Sequence, residues 1–180
     1  PMEAGHINIS RGSEVENYPS RFLFLSTTNL CRCGEYVPEK IHRCRCLEKS
    51  RRSYQERLSG PMLDRIAVKV LVHQEEDSPQ QDLAETLLEI EKTRQWARNN
   101  FKTRKLNSNL QLRDIETKLS SASLLGIKNG FVGSQRRYLQ WLQIARSVAD
   151  FDESVAIEPK HLEEARVLSA LSLHRPGGQR

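Results

Sequence analysis

The rhythm of apolar and polar positions changes along this chain. His6-Ile7-Asn8-Ile9-Ser10 alternates, as a strand with one buried face does. Arg11-Gly12-Ser13 supplies a turn and Glu14-Val15-Glu16 alternates again, so residues 6–18 predict a hairpin that Pro19 ends. Phe22-Leu23-Phe24-Leu25 is a continuous apolar run, the pattern of a strand buried on both faces of a parallel sheet, with Asn29 at its end. Ile66–Val72 predicts a second buried strand. Residues 31–57, between the two, are Cys-rich, basic and partly irregular.

The period then lengthens. Glu75-Glu76-Asp77-Ser78-Pro79 is a polar linker, with Ser78 and Gln81 spaced as a capping box and Pro79 suited to a first helical turn. Leu83, Leu87, Ile90, Ala97 and Phe101 fall at helical spacing and predict a helix over about 80–104. A shorter helix is expected over 110–122, and Gly126, Gly130 and Gly133 predict a loop. Ser134 is placed to cap the next helix, whose apolar face is Tyr138, Trp141, Leu142, Ala145, Val148 and Ala149, opposite Arg136, Gln140, Gln143 and Ser147. Pro159 opens a last helix that buries Leu162, Ala165, Leu168 and Leu171, and the end around Gly177-Gly178 is expected to fray. Trp96 and Trp141 are expected in the bundle core. The fold class is therefore α/β plus all-α, in two domains: a strand-rich part over 1–74 and a helical bundle over 75–180. No internal repeat is visible.

Composition adds little to this division. The 180 residues are 37% hydrophobic and 28% charged, the balance of a soluble globular chain. No apolar run reaches the ~18 residues of a membrane span, and no signal peptide opens the chain, so a cytoplasmic protein with no membrane partner is expected. The start at Pro1, without Met, reads as a fragment. The net charge of +5 is compatible with nucleic acid or nucleotide as a partner, and equally with a solvated basic surface. The excess is uneven: Lys40, Arg43, Arg45, Lys49, Arg51, Arg52 and Arg57 face only Glu48 and Glu56 over 40–57.

All four cysteines fall within sixteen residues, as Cys31-x-Cys33, ten residues, Cys44-x-Cys46. Four thiolates on one excursion can close a tetrahedral Zn²⁺ site that pins a basic loop. One-residue spacing is tighter than usual, His42 is an alternative ligand, and four reduced thiols or an iron–sulfur cluster are the competing readings.

Several segments, in order, resemble AAA+ ATPases of the magnesium-chelatase-like family, ComM type. Gly5-His6-Ile7-Asn8-Ile9-Ser10-Arg11 looks like the family's pre-sensor hairpin, and Asn29-Leu30-Cys31-Arg32-Cys33-Gly34 like its Asn-Pro-Cys-Pro-Cys-Gly. Cys44-Arg45-Cys46 matches the returning Cys-x-Cys, and Arg57-Leu58-Ser59-Gly60-Pro61-Met62-Leu63-Asp64-Arg65-Ile66 matches best. Ser134-Gln135-Arg136 and Ala145-Arg146-Ser147-Val148-Ala149-Asp150-Phe151 resemble the lid helix, and His161-Leu162-Glu163-Glu164-Ala165 the last helix. Leu30, Ala67, Gln140 and Gln143 depart from the pattern. No Gly-x-x-x-x-Gly-Lys-Ser/Thr loop is present, nor an apolar strand ending in paired acids for Mg²⁺; in the family both precede the part that resembles this chain.

The resemblance implies the end of an AAA+ α/β core followed by a helical lid, in a ring, expected to be a hexamer, with ATP and Mg²⁺ between subunits of the complete protein. It implies Asn29 as a first sensor orienting the attacking water, Arg65 as an arginine finger, and Arg136 as a second sensor, with Arg137 and Arg146 as rivals. It implies a DNA contact for Arg11, by analogy with the basic hairpin tip of MCM-class helicases. From the residues alone, Asn29 can equally close a strand through a turn, Arg65 can pair with Asp64 at the surface, and Arg11 and Arg136 can be ordinary exposed arginines. The function implied is DNA translocation or branch migration during uptake of foreign DNA, a helicase-like role in competence. The alternatives are the ATPase subunit of a chelatase that inserts Mg²⁺ into a porphyrin, and a non-enzymatic, truncated zinc- or nucleic-acid-binding module.

Overall fold

A computed structural model describes residues 4–37, 43–58, 60–72, 82–101, 106–131 and 133–170. They divide into two compact units, one within Pro1–Arg65 and one within Ile66–Ser172.

In the first unit the hairpin forms where the alternation places it. β1 (His6–Arg11) pairs antiparallel with β2 (Glu14–Pro19), from His6 opposite Pro19 to Arg11 opposite Glu14. Gly12 turns the chain at φ 60°, where a side chain is disfavoured. Asn17 donates to Asn8 across the ladder at 2.8 Å. Two helices follow the cysteine loop, α1 (Glu48–Gln55) and the single turn α2 (Gly60–Leu63).

The buried strand expected over Phe22–Leu25 is not formed. The segment joins no ladder, and Leu23 and Leu25 are 83% and 82% exposed. A strand needs a neighbour for its backbone N–H and C=O groups, and no described segment lies alongside. The strand expected over Ile66–Val72, in the second unit, also belongs to no ladder. It runs beside the last helix, Lys69 N–H donating to the Leu168 carbonyl at 2.9 Å, and Ala67 packs on the helical core. Mixed α and β structure is therefore present, but the described sheet is one two-stranded hairpin and the rest is mostly helical.

The second unit is a helical bundle of α3 (Leu83–Phe101), a 3₁₀ turn (Asn107–Asn109), α4 (Leu112–Glu116), α5 (Ser121–Gly130), α6 (Gln135–Phe151) and α7 (Pro159–Ala170). Ile115, Leu119, Trp141, Leu142, Ile144, Ala145, Ala149, Ile157, Leu162 and Ala165 form its core. α6 is the central element. Ser134 Oγ caps it by accepting from Arg137 N–H at 3.3 Å, and its anticipated apolar face is the buried one, with Tyr138 and Val148 at the margin. Trp141 is buried and donates its indole N–H to the Leu162 carbonyl at 2.8 Å, tying α6 to α7; Trp96 is only half-buried.

The expected loop at Gly126 and Gly130 is instead α5. Ser120 caps it, accepting from Ser123 N–H at 3.2 Å, and Ser123 Oγ donates to the Ile157 carbonyl at 2.7 Å. Cap and tertiary bond outweigh the cost of about 1 kcal/mol for each helical glycine. The linker over 75–79, the Ser78–Gln81 box, His42, Lys40, Leu171 and Gly177-Gly178 lie outside the described residues. Among the described residues no helix is long and apolar enough to cross a membrane.

Candidate metal centre and surrounding arginines

The cysteines converge although no regular element carries them. Gly34 N–H donates to the Cys31 carbonyl at 3.2 Å, closing a tight turn over Cys31–Gly34, and Gly34 adopts φ 85°, a conformation that suits glycine. The turn folds Cys33 Sγ back to 3.2 Å from Cys31 Sγ. The second pair returns in front of α1. Arg51 on α1 donates to the Cys46 carbonyl at 2.7 Å, reaches Cys44 Sγ at 4.0 Å, and stacks over the Tyr36 ring at 4.8 Å. Gln55, one turn further, donates to the Leu30 carbonyl at 2.9 Å. α1 thus clamps both cysteine pairs from one side.

The thiol sulfurs of Cys31, Cys33, Cys44 and Cys46 all lie within 4.8 Å of one another. Cys33 and Cys31 are each 3.7 Å from Cys44. Zn–S bonds of about 2.3 Å in a tetrahedron place sulfurs about 3.8 Å apart, within the observed range. An iron–sulfur cluster spreads its cysteines over several irons, so a group this tight suits a single ion better. The protonation pattern is divided. Burial, together with the hydrogen bond to Cys33, pushes the Cys31 thiol up to about 11. The Glu35 backbone N–H, then the bond from Cys31, draws Cys33 down to about 6. An ion held by these four residues would keep all of them as thiolates.

The other sequence-predicted residues are placed as follows. Asn29 is exposed just before the loop, with its amide beside Gly34. Arg65 follows α2 and donates to the Pro61 carbonyl at 2.7 Å. Arg11 stands at the end of β1, beside the hairpin turn. Arg136 is exposed in the first turn of α6, in the other unit.

Arg146 is accounted for differently. Its side chain is 2% exposed, and its guanidinium bonds Asp150 Oδ1 at 2.9–3.0 Å, the Val155 carbonyl at 2.8 Å and the Ser154 carbonyl at 2.5 Å. It also lies over the Phe101 ring at 4.8 Å. Asp150 is held in turn by Asn107 Nδ2 at 2.7 Å. Arg146 therefore anchors the turn after α6, and its guanidinium is fully used within the helical unit. Sequence reading gave no sign of this buried pair beyond its i,i+4 spacing. It also missed His161, buried at the start of α7, whose Nδ1 accepts from Glu158 N–H at 2.9 Å while Nε2 faces Asp152 Oδ2 at 3.1 Å.

Comparison with known proteins finds two successive family matches along the chain. A family model described as magnesium chelatase, subunit ChlI, matches residues 1–80. A second, described as magnesium chelatase, subunit ChlI C-terminal, matches residues 81–168. The uncharacterized protein YifB of Escherichia coli is 29% identical over 97% of the chain, which covers 36% of that protein. The competence protein ComM of Haemophilus influenzae is 29% identical over 92% of the chain, covering 34% of that protein. The chain thus spans about a third of the length of these curated relatives.

Proposed function

Since this chain belongs to the magnesium-chelatase-like family, we propose that it is part of a ring-forming, cytoplasmic AAA+ ATPase that couples ATP hydrolysis to movement along DNA. The observation that carries this reading is the succession of the two family matches over residues 1–168, in the order of core end and lid. The likeness to a protein named for competence favours DNA over a porphyrin as the client. In this reading ATP and Mg²⁺ are held between subunits, by residues of the complete protein together with these.

Each residue then has a distinct task. Asn29 orients water on its own subunit's nucleotide and Arg136 contacts that nucleotide from the lid. Arg65 reaches the neighbouring subunit's γ-phosphate and neutralises charge that develops in transfer. Arg11 at the hairpin meets DNA phosphates in the ring's pore. The four cysteines hold a structural Zn²⁺ that pins the basic loop. Exposure of Arg11 and Arg136, and the tight cysteine group, support this assignment.

The test is subunit mixing in the complete protein. Arg65→Ala should bind ATP normally and reduce hydrolysis by roughly 10³-fold or more, as loss of an arginine finger does. Added to wild-type subunits, it should poison hydrolysis by more than its share of the ring. Full hydrolysis by Arg65→Ala rings would remove Arg65 from catalysis.

A further inference from the structure

The basic run around the cysteine loop is not uniform. Arg51 is committed to the Cys46 carbonyl and the Tyr36 ring, Arg52 pairs with Glu56 at 3.3 Å, and Arg57 lies 6.0 Å over the Tyr54 ring. Arg43 and Arg45 are exposed and have no hydrogen-bond or ion-pair partner among the described residues. Both line a cleft of about 440 Å³ whose other walls are Cys33 and Glu35. Arg45 sits between two cysteines of the candidate centre, Cys44 and Cys46, so whatever fixes those thiols fixes its backbone.

We propose that Arg43 and Arg45 form a DNA-phosphate contact, separate from the hairpin, that becomes ordered when the four cysteines bind a metal ion. Two guanidiniums at one cleft can fork onto successive phosphate oxygens. Glu35, the one acid in the cleft, opposes anion binding, but the two arginines exceed its charge. A tetrathiolate Zn²⁺ centre would carry negative charge, part of which Arg51 offsets from the α1 side. The choice of DNA among polyanions rests on the proposed function; the contact itself requires neither ATP nor the ring.

The experiment is equilibrium binding of the whole chain to a fluorescently labelled single-stranded DNA oligonucleotide across a salt series, with Zn²⁺ or with a chelator. Each phosphate contact contributes about 0.7 to the slope of log affinity against log salt. Arg43→Ala/Arg45→Ala should weaken binding and flatten the slope by about one to two, and Arg43→Lys/Arg45→Lys should recover most of the slope. Chelation should flatten the wild-type slope and leave that of the double alanine variant unchanged. Wild-type affinity and slope in the double alanine variant would overturn the contact, as would a chain that binds no DNA. A slope indifferent to chelation would overturn its dependence on metal. Arg11→Ala should lower binding equally with and without metal, which separates this surface from the hairpin. Hydrolysis by the complete protein is read independently, so failure here and failure of the motor reading are distinguishable.

Discussion

Replacing Arg146 by Ala should destabilise the helical unit by about 3–5 kcal/mol, the usual cost of removing one partner from a buried ion pair. Both side chains are almost fully buried, at 2% and 5% exposure. The substitution leaves the Asp150 carboxylate with the Asn107 amide as its remaining side-chain donor, and strips the Ser154 and Val155 carbonyls of theirs. Burial pushes the Asp150 carboxyl up and the Arg146 guanidinium down, so desolvation outweighs pairing on both sides. The pair therefore adds little net stability while intact and is costly when split. Urea unfolding of the whole chain, followed by tryptophan fluorescence, reads the effect, since Trp96 and Trp141 both lie in the bundle. With a slope of about 1–3 kcal/mol per M, the midpoint should fall by roughly 1 M or more. Arg146→Met/Asp150→Leu should recover most of the loss, because apolar replacement of both partners is often neutral. A midpoint for Arg146→Ala within about 0.3 M of wild type, less than 1 kcal/mol at that slope, would show that the Arg146–Asp150 pair does not anchor the helical unit. Arg136→Ala, at an exposed position, should stay within about 0.5 kcal/mol, which separates a nucleotide contact from a structural one.

Three further outcomes are expected. Elemental analysis of the purified chain should find one zinc per chain with four protected thiols, and Cys33→Ser should lower metal occupancy; four freely reactive thiols would remove the metal centre. Ser134→Ala should cost about 1 kcal/mol through loss of the α6 cap, measured as a shift in unfolding midpoint. The Lys160 ammonium, with His161, holds the Asp152 carboxyl below its usual 3.8, so its contribution is complete above that value and disappears as pH falls through the lower folded-state value. The stability difference between wild type and Asp152→Asn should be present at neutral pH and vanish in acid, and a difference that persists in acid would contradict the assignment.

What could be read from the sequence was what local spacing determines. The Cys-x-Cys pairs predicted a four-thiol group because proximity along the chain does most of the gathering, and α1 supplies the clamp. The α6 face followed from helical period, with Ser134 as its cap. Phe22–Leu25 and Ile66–Val72 misled because apolar runs report what a segment would bury, while a strand also needs a partner for its backbone. α5 was hidden by its glycines, since the Ser123–Ile157 bond that holds it spans 34 residues. Arg146 read as one more helix arginine because periodicity cannot show a guanidinium turned inward onto Asp150.

The proposed role, part of a motor driven by ATP along DNA, is tested by ATP hydrolysis of the complete protein, measured with and without DNA. The expected result is hydrolysis that DNA accelerates and that Arg11→Ala uncouples from DNA while leaving the basal rate in place. Hydrolysis indifferent to DNA, or none at all, would contradict it.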